Sequence, residues 1–196
     1  MSLTVNLNGK ELVFDKSHIK DVSELVNLVQ LGVTPHEGIV CDISLKGGEL
    51  SSNDWTQPLS ELGDGTLEIS TTTKAAFVEN RLKLANSYIE VVAAKFNLIT
   101  PTYKEQGVAQ AADCLNTASK DMSYFCDWFS TIVQVDAGRF GSTAGEAIKA
   151  SLSSLMSTTE GLVAKQLSNE WDDICKVVDE TLIPQLSEFA KEVEGL

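Results

Sequence analysis

Residues 65–97 read GTLEISTTTKAAFVENRLKLANSYIEVVAAKFN, and the spacing of their apolar residues changes within this stretch. Leu67 and Ile69 alternate with polar residues, which is the period of a half-buried strand. From Val78 onward the apolar residues recur every three or four positions, which is the period of an amphipathic helix. The stretch therefore predicts a junction between a small part that contains strands and a wholly helical part.

The residues before this junction predict the element order ββαββ. Apolar and polar residues alternate in the first strand, and Asn8-Gly9 then favours a tight hairpin turn. A helix follows, which Asp21 or Ser23 can cap and which we expect to end before Gly32 and Pro35. The apolar residues that set the alternation of the strands are Leu3, Val5, Leu7, Leu12, Phe14, Ile39, Cys41, Ile43, Leu45, Leu67 and Ile69.

Residues 1–71 resemble the ubiquitin-like, or β-grasp, proteins in their order of elements and their turns. The segment KGGEL at 46–50 is similar to the family's turn, here at Gly47-Gly48, into a short fourth piece (49–52). The segment PLSEL at 58–62 is similar to its loop before the closing strand. The resemblance implies a compact recognition module. The closing strand runs on into the helical part without a free Gly-Gly tail, which excludes conjugation through such a tail.

Residues 74–196 predict an antiparallel four-helix bundle, because amphipathic segments alternate with short connections. Thr72 or Thr73 can cap the first helix, and Thr100-Pro101 is a typical start for the second. Acidic helical proteins of this kind resemble bacterial secretion and flagellar export chaperones in general character, without a shared motif. The predicted helices cover about residues 73–97, 102–135, 143–167 and 170–193.

The apolar residues of the predicted helices indicate which faces are buried. The second helix has a seam with heptad spacing that runs from Val108 to Ile132. Leu84, Tyr88 and Val91 widen the apolar face of the first helix, so we expect that helix to be central. Pro184 lies inside the last helix and predicts a kink, because proline removes one backbone hydrogen bond.

The chain of 196 residues has a net charge of −13 at neutral pH, and neither part offsets it. Residues 1–73 carry 4 Lys and Arg against 11 Asp and Glu, and residues 74–196 carry 11 against 17. An acidic chain disfavours binding to nucleic acid and to anionic membranes. No apolar run is long enough to span a bilayer, and the first residues lack the pattern of a secretion signal. We therefore expect a cytoplasmic protein.

The sequence carries no catalytic, cofactor-binding or metal-binding motif, so we predict a protein that is not an enzyme and needs no cofactor. The two histidines, His18 and His36, lie next to predicted turns and apart from any pattern of metal ligands. The cysteines stand singly on apolar faces, which predicts reduced thiols in the core. These cysteines are Cys41, Cys114, Cys126 and Cys175.

The candidate site consists of residues that lie off the core seam of the second predicted helix. At 100° per residue, Tyr124 and Trp128 fall about 140° and about 100° from the centre of the seam, and Val135 lies alongside them. Aromatic residues in such positions contact either another part of the structure or a partner. Two interpretations stay open: the first part or a second copy covers them, or they line a groove for a protein partner.

These observations predict an adaptor or chaperone-like protein that acts by protein–protein contact. One alternative is a structural or regulatory homodimer subunit, in which the β-grasp part only caps the bundle. A second alternative is a small-molecule-binding protein with a pocket at the junction of the two parts.

Overall fold

The computed structural model describes residues 3–15, 18–36 and 38–196 and confirms the predicted α+β class. The chain divides into two compact units, Met1–Phe77 and Val78–Leu196. A small mixed sheet and one long helix dominate the first unit, whereas the second unit is helical. In the described part of the chain, no helix combines the length and the apolar character needed to cross a membrane.

The sheet of the first unit has four strands in the order β2-β1-β4-β3. The two central strands, β1 and β4, run parallel, and each outer strand is antiparallel to its neighbour. The helix α1 contributes Val22 and Leu25 to a core that it shares with Val5 and Ile69 of the sheet. The elements are β1 (Leu3–Leu7), β2 (Lys10–Glu11), α1 (Val22–Val33), β3 (Gly38–Leu45) and β4 (Gly65–Thr73).

The first turn and the start of α1 follow the sequence prediction. Asn8 and Gly9 have φ angles of 51° and 74°, as a tight hairpin turn requires. Asp21 is the N-cap residue, and its carboxylate accepts a hydrogen bond of 2.9 Å from the backbone N–H of Glu24. The expected end before Gly32 is wrong. The helix continues to Val33, because the backbone N–H of the next residue still bonds inside the helix.

The third strand departs from the expected alternation because it contains a β-bulge. Val40 pairs with Thr71 and Asp42 pairs with Ser70, so Cys41 is an extra residue in the ladder. Val40 and Ile43 therefore both pack against the core of the first unit. The alternation in the sequence predicted that Ile39, Cys41, Ile43 and Leu45 face the core. This prediction is wrong for Ile39 and Cys41.

Two further details of the sheet also differ from the expectations. The return strand β2 has only two residues, and Leu12 and Phe14 follow its end while still packing against the core. The turn after β3 has its positive φ angles at Lys46 and Gly47, one residue earlier than predicted. No strand forms at residues 49–52, because a hydrogen-bonded turn begins at Ser51.

Four helical runs make up the second unit. Ser142 caps α5, because its hydroxyl oxygen accepts a hydrogen bond from the backbone N–H of Gly145. At the first run, Thr73 caps α2 by accepting from the N–H of Ala76. The helices are α2 (Lys74–Asn97), α3 (Ile99–Gln106), α4 (Val108–Val135), α5 (Thr143–Leu167), α6 (Trp171–Val177) and α7 (Ile183–Glu194).

The second predicted helix starts earlier than expected and is interrupted. Helix α3 begins at Ile99, with Leu98 at the N-cap position, so Thr100 lies inside the first turn and is not its cap. The Thr100 hydroxyl instead lies 3.0 Å from a carboxylate oxygen of Asp179 and donates to it. Gly107, at a φ of 86°, separates α3 from α4. This break leaves Val108 exposed at the start of the predicted seam.

The remaining heptad seam of α4, from Ala111 to Ile132, is buried as predicted. Its rings form the centre of the core: Phe129 lies 5.1 Å from Phe189 and 6.1 Å from Phe140 between ring centroids. Near Pro184 the backbone changes to a π-helical turn, Val178–Leu182, that joins α6 to α7. The irregularity thus lies just before the proline, where a kink was predicted.

Candidate protein-contact surfaces

Helices α2 and α4 lie side by side and run antiparallel. Lys95 of α2 forms an ion pair with Asp121 of α4. Farther along, the ring centroids of Tyr88 and Trp128 are 5.6 Å apart. The residue numbers of the two contacts rise on one helix as they fall on the other, which defines the antiparallel direction.

A stripe of exposed aliphatic side chains with heptad spacing runs along α2 and ends at Leu98, the residue that follows the helix. Leu84, Val91 and Leu98 are 56%, 52% and 56% exposed. The expectation that Leu84 and Val91 widen the buried face is therefore wrong. The physical reason is that other residues already fill the core side of α2. These buried residues are Val78, Ala85, Ile89, Val92 and Phe96.

The three candidate residues of α4 differ in their exposure and in their neighbours. Tyr124 is 53% exposed, and the ammonium group of Lys120 lies 5.6 Å from the centroid of its ring. Val135 is half-buried at the end of the helix. Trp128 is also half-buried. Its ring packs at centroid distances of 5.6 to 6.4 Å against the rings of Tyr88, Phe125 and Phe129.

These side chains form one surface, which we call the α2/α4 face. Lys95 and Asp121 of this face pair with each other, and the cationic groups of Arg81 and Lys120 lie over the rings of Trp128 and Tyr124. A groove of about 320 Å³ lies at one end, where Leu98 meets Asp113 and Cys114. The face consists of Leu84, Tyr88, Val91 and Lys95 from α2, Leu98 from the turn that follows α2, and Thr117, Asp121, Tyr124, Trp128 and Val135 from α4.

The first unit has a separate apolar groove of about 400 Å³, which we call the first-unit groove. It lies between the segment after β2 and α1, and Val13 at its border is 95% exposed. The sequence analysis missed this site. The available signals were Val13 between two core residues and Leu28 outside the apolar face of α1. The lining residues are Leu7, Leu12, Val13, Phe14, Ile19, Leu25, Leu28, Val29, Gly32 and Val33.

The cysteines and histidines do not form a reactive cluster. Cys126 and Cys175 are buried as predicted, whereas Cys41 and Cys114 are only half-buried. Burial raises the pKa of the Cys126 thiol to about 12, with a smaller contribution from the carboxylate of Asp127. A thiol with this pKa is a poor nucleophile.

His18 and His36 are both exposed. His18 lies 3.4 Å from the carboxylate of Asp15 at the surface. Within residues 3–15, 18–36 and 38–196, no group of three or more His, Cys, Asp and Glu side chains is placed to hold a metal ion.

Two exposed apolar surfaces, one in each unit, are the features on which a function can rest. A comparison of the chain with protein-family models, with curated proteins and with solved structures finds no match.

Proposed function

We propose that this chain is a non-enzymatic adaptor or chaperone-like protein that works by protein–protein contact. The observation that carries the proposal is the exposed stripe of Leu84, Val91 and Leu98 beside the half-exposed ring of Tyr124. Scattered exposed aliphatic residues are ordinary, but a regular stripe next to an aromatic residue is typical of an interface. Aromatic side chains are also enriched among the residues that dominate binding energy.

The second surface supports an adaptor rather than a simple binding module. The first-unit groove is concave and lined by apolar residues, whereas the α2/α4 face presents two parallel rows of side chains on neighbouring helices. The two surfaces differ in shape and lie in different units. A protein with two unlike apolar surfaces can hold two different partners.

The finer fold assignments belong to the same proposal. The first unit is a β-grasp module, which is supported by the parallel pair of central strands and by the helix that follows the hairpin. The second unit is an antiparallel four-helix bundle, which is supported by its four helical runs and by the antiparallel contact of α2 with α4. Neither fold selects a partner by itself.

The cytoplasm is the proposed location, and neutral or basic proteins are the proposed partners. The buried free thiols of Cys126 and Cys175 suit a reducing compartment. The net charge of −13 repels acidic partners and acidic membranes at long range. A homodimeric subunit is the alternative that the structure supports with a specific observation, since a heptad stripe can also pair with another copy of itself.

Affinity capture from the native host tests the proposed function. The bait proteins are the tagged chain, a face variant Val91→Lys, a groove variant Val13→Lys and a control Leu167→Lys. Leu167 is an 87% exposed aliphatic residue of α5 outside both surfaces, so its substitution controls for added charge. We expect the chain and the Leu167→Lys control to retain the same proteins in mass spectrometry. At least one of these proteins should be lost from the face variant or the groove variant.

Two outcomes of the capture experiment would contradict the adaptor proposal. If all four baits retain the same proteins, or if none retains any, neither surface binds a partner and the adaptor proposal is wrong. Circular dichroism of each bait shows that the substitutions leave the helices intact.

A further inference from the structure

We infer that a pocket between α4 and α5 binds a small, uncharged aromatic molecule with one hydroxyl group, of the chemical class of phenol. We call it the α4/α5 pocket, and its volume is about 160 Å³. The inference goes beyond the proposed function, because the pocket lies within the second unit and shares no residue with the α2/α4 face or the first-unit groove.

The α4/α5 pocket is formed where small side chains of two neighbouring helices meet. Each helix contributes four residues at the spacing i, i+3, i+4 and i+7, which places them on one face of that helix. Helix α4 contributes Ser119, Met122, Ser123 and Cys126. Helix α5 contributes Met156, Thr159, Glu160 and Val163. Serine, cysteine and threonine are too small to fill the space that leucine fills at most helix–helix contacts, so room for a ligand is left.

The depth and the size of the α4/α5 pocket suit a single ring. Met122, Cys126 and Thr159 are buried and form its floor, whereas Met156 and Val163 are partly exposed at its rim. The rim therefore gives a small molecule access to a floor that is shielded from water. An apolar cavity of about 150 Å³ holds one benzene ring, which is close to the volume of this pocket.

The sulfur atoms around the α4/α5 pocket favour an aromatic ring. The chain has three methionines, and two of them, Met122 and Met156, line the pocket together with Cys126. Sulfur makes favourable contacts with the edges of aromatic rings, and the unbranched methionine side chain adapts to the shape of its neighbour. A saturated ring of the same size would not gain these contacts.

The hydroxyl group of Ser119 indicates that the ligand has a polar group. Its oxygen is buried and has no hydrogen-bond partner among the described residues. The Thr159 hydroxyl, in contrast, donates to the backbone carbonyl of Leu155 at 2.8 Å. Buried polar atoms in folded proteins are nearly always paired. A hydroxyl group on the ring would give Ser119 the missing partner.

The charges around the α4/α5 pocket favour an uncharged ligand. Glu160 lies at the exposed rim, and the chain has a net charge of −13, so anionic ligands are repelled. Burial raises the pKa of the Cys126 thiol to about 12, so the floor presents an uncharged thiol. A cationic ligand would lose its hydration at this floor without gaining a counter-charge. A phenol is uncharged at neutral pH, because its hydroxyl titrates near about pH 10, as that of tyrosine does.

NMR of the full chain, labelled with ¹³C at the methionine methyl groups, tests the inference in a titration with phenol. We expect the signals of Met122 and Met156 to shift together, with a dissociation constant on the order of 1 mM for so small a ligand. The signal of Met1, which belongs to the other unit, should not move. Met122→Leu and Met156→Leu identify the two pocket signals.

A ligand series with a matched pair of serine variants tests each feature of the ligand. Benzene lacks the hydroxyl group and should bind about three- to tenfold more weakly than phenol. Cyclohexanol lacks the aromatic ring and should also bind more weakly. Ser119→Ala should lower the affinity for phenol to that for benzene and leave the affinity for benzene unchanged. Ser130→Ala should change neither, because Ser130 is half-buried like Ser119 but lies three turns farther along α4, outside the pocket.

N-acetyltyrosinamide distinguishes a free molecule from a tyrosine side chain of a protein partner. This probe carries the same ring and hydroxyl group as phenol, but its two amide groups would lie against the apolar rim residues Met156 and Val163. We therefore expect it to bind more weakly than phenol. Equal or tighter binding of N-acetyltyrosinamide would identify a partner's tyrosine as the occupant and overturn the inference.

Four other outcomes also overturn the inference. Pocket signals that stay in place up to about 10 mM phenol, or shifts of the same size in all three methionine signals, would show that the pocket does not bind it. Equal affinities of the unmodified chain and Ser119→Ala for phenol contradict the role of the hydroxyl group. Equal affinities for phenol and cyclohexanol contradict the aromatic class. Circular dichroism checks that each variant is folded, and none of these results bears on the adaptor proposal.

Discussion

At the scale of single residues, burial decides what each side chain of this protein can do. Cys126 is a buried residue of α4 and lines a small pocket of about 160 Å³ with Met122 and Met156. Its raised pKa keeps the thiol protonated, so we assign it a packing role. Gly145 is similarly constrained, because the backbone of Phe140 occupies the space where its side chain would lie.

The pKa of Cys126 predicts a dependence of stability on pH. The folded protein holds this proton up to about pH 12, whereas the unfolded chain releases it near the ordinary value of 9.0. The free energy of unfolding should therefore fall as pH rises above 9, and this contribution is fully present below that value. Between pH 8 and pH 10, the free energy of unfolding of the unmodified chain should fall by about 1 kcal/mol more than that of the Cys126→Val variant. Urea unfolding measures both proteins, and parallel pH curves would contradict the assignment.

Two glycines of α5 provide a matched pair for substitution by alanine. A Cβ at Gly145 would lie 2.6 Å from the backbone carbonyl carbon of Phe140, so Gly145→Ala should lower the free energy of unfolding by about 2 kcal/mol or more. A Cβ at Gly161 has no atom within 4 Å. Gly161→Ala should instead raise stability by about 0.5–1 kcal/mol. Denaturant unfolding distinguishes the two, and equal effects would show that the contact at Gly145 is not tight.

At the scale of elements, the sequence predicted the buried seam of α4 but not the exposed stripe of α2. A heptad seam is visible in sequence because its apolar spacing matches the helix period. Leu84 and Val91 have the same apolar character as core residues, and only the packing of the other helices shows that they are outside. The bulge at Cys41 was likewise not predictable, because it depends on how β3 pairs with β4. The first-unit groove depends on the path of the chain after β2.

The two aromatic candidates of α4 should differ in their contribution to stability. Tyr124 is half-exposed, so Tyr124→Ala should change the free energy of unfolding by less than about 0.5 kcal/mol. Trp128 packs against three aromatic rings, so Trp128→Ala should lower the free energy of unfolding by about 2 kcal/mol or more. Both variants also carry the Val91→Lys substitution, so that protein–protein association through the α2/α4 face does not contribute to the measured stability. Similar urea midpoints for the two variants would contradict this division.

At the scale of the whole molecule, the division into two units is the main organising feature. The sequence predicted a change of structure between residues 71 and 74, and along the chain the division between the two compact units falls between Phe77 and Val78. The helix α2 begins before that boundary, with Thr73 as its cap. Its first turn therefore depends on a residue that also ends β4.

A helical fragment tests whether the second unit folds by itself. Residues 72–196 retain the Thr73 cap and every described helix of the second unit. We expect this fragment to keep its helical circular dichroism and to unfold cooperatively on heating. A second fragment that begins at residue 78 lacks the cap and the first turn of α2, so it should be less stable. A 72–196 fragment without cooperative unfolding would show that the units share one core.

The central claim is that the α2/α4 face exists to contact protein, and photo-crosslinking in the native host tests it most directly. The photoreactive residue p-benzoylphenylalanine replaces Val91 in one sample and Leu167 in the other, since both positions are exposed aliphatic sites of the helical unit. We predict that irradiation joins the chain at position 91 to a second copy or to another protein, with little product at position 167. No product at position 91, or equal products at both positions, would contradict the claim.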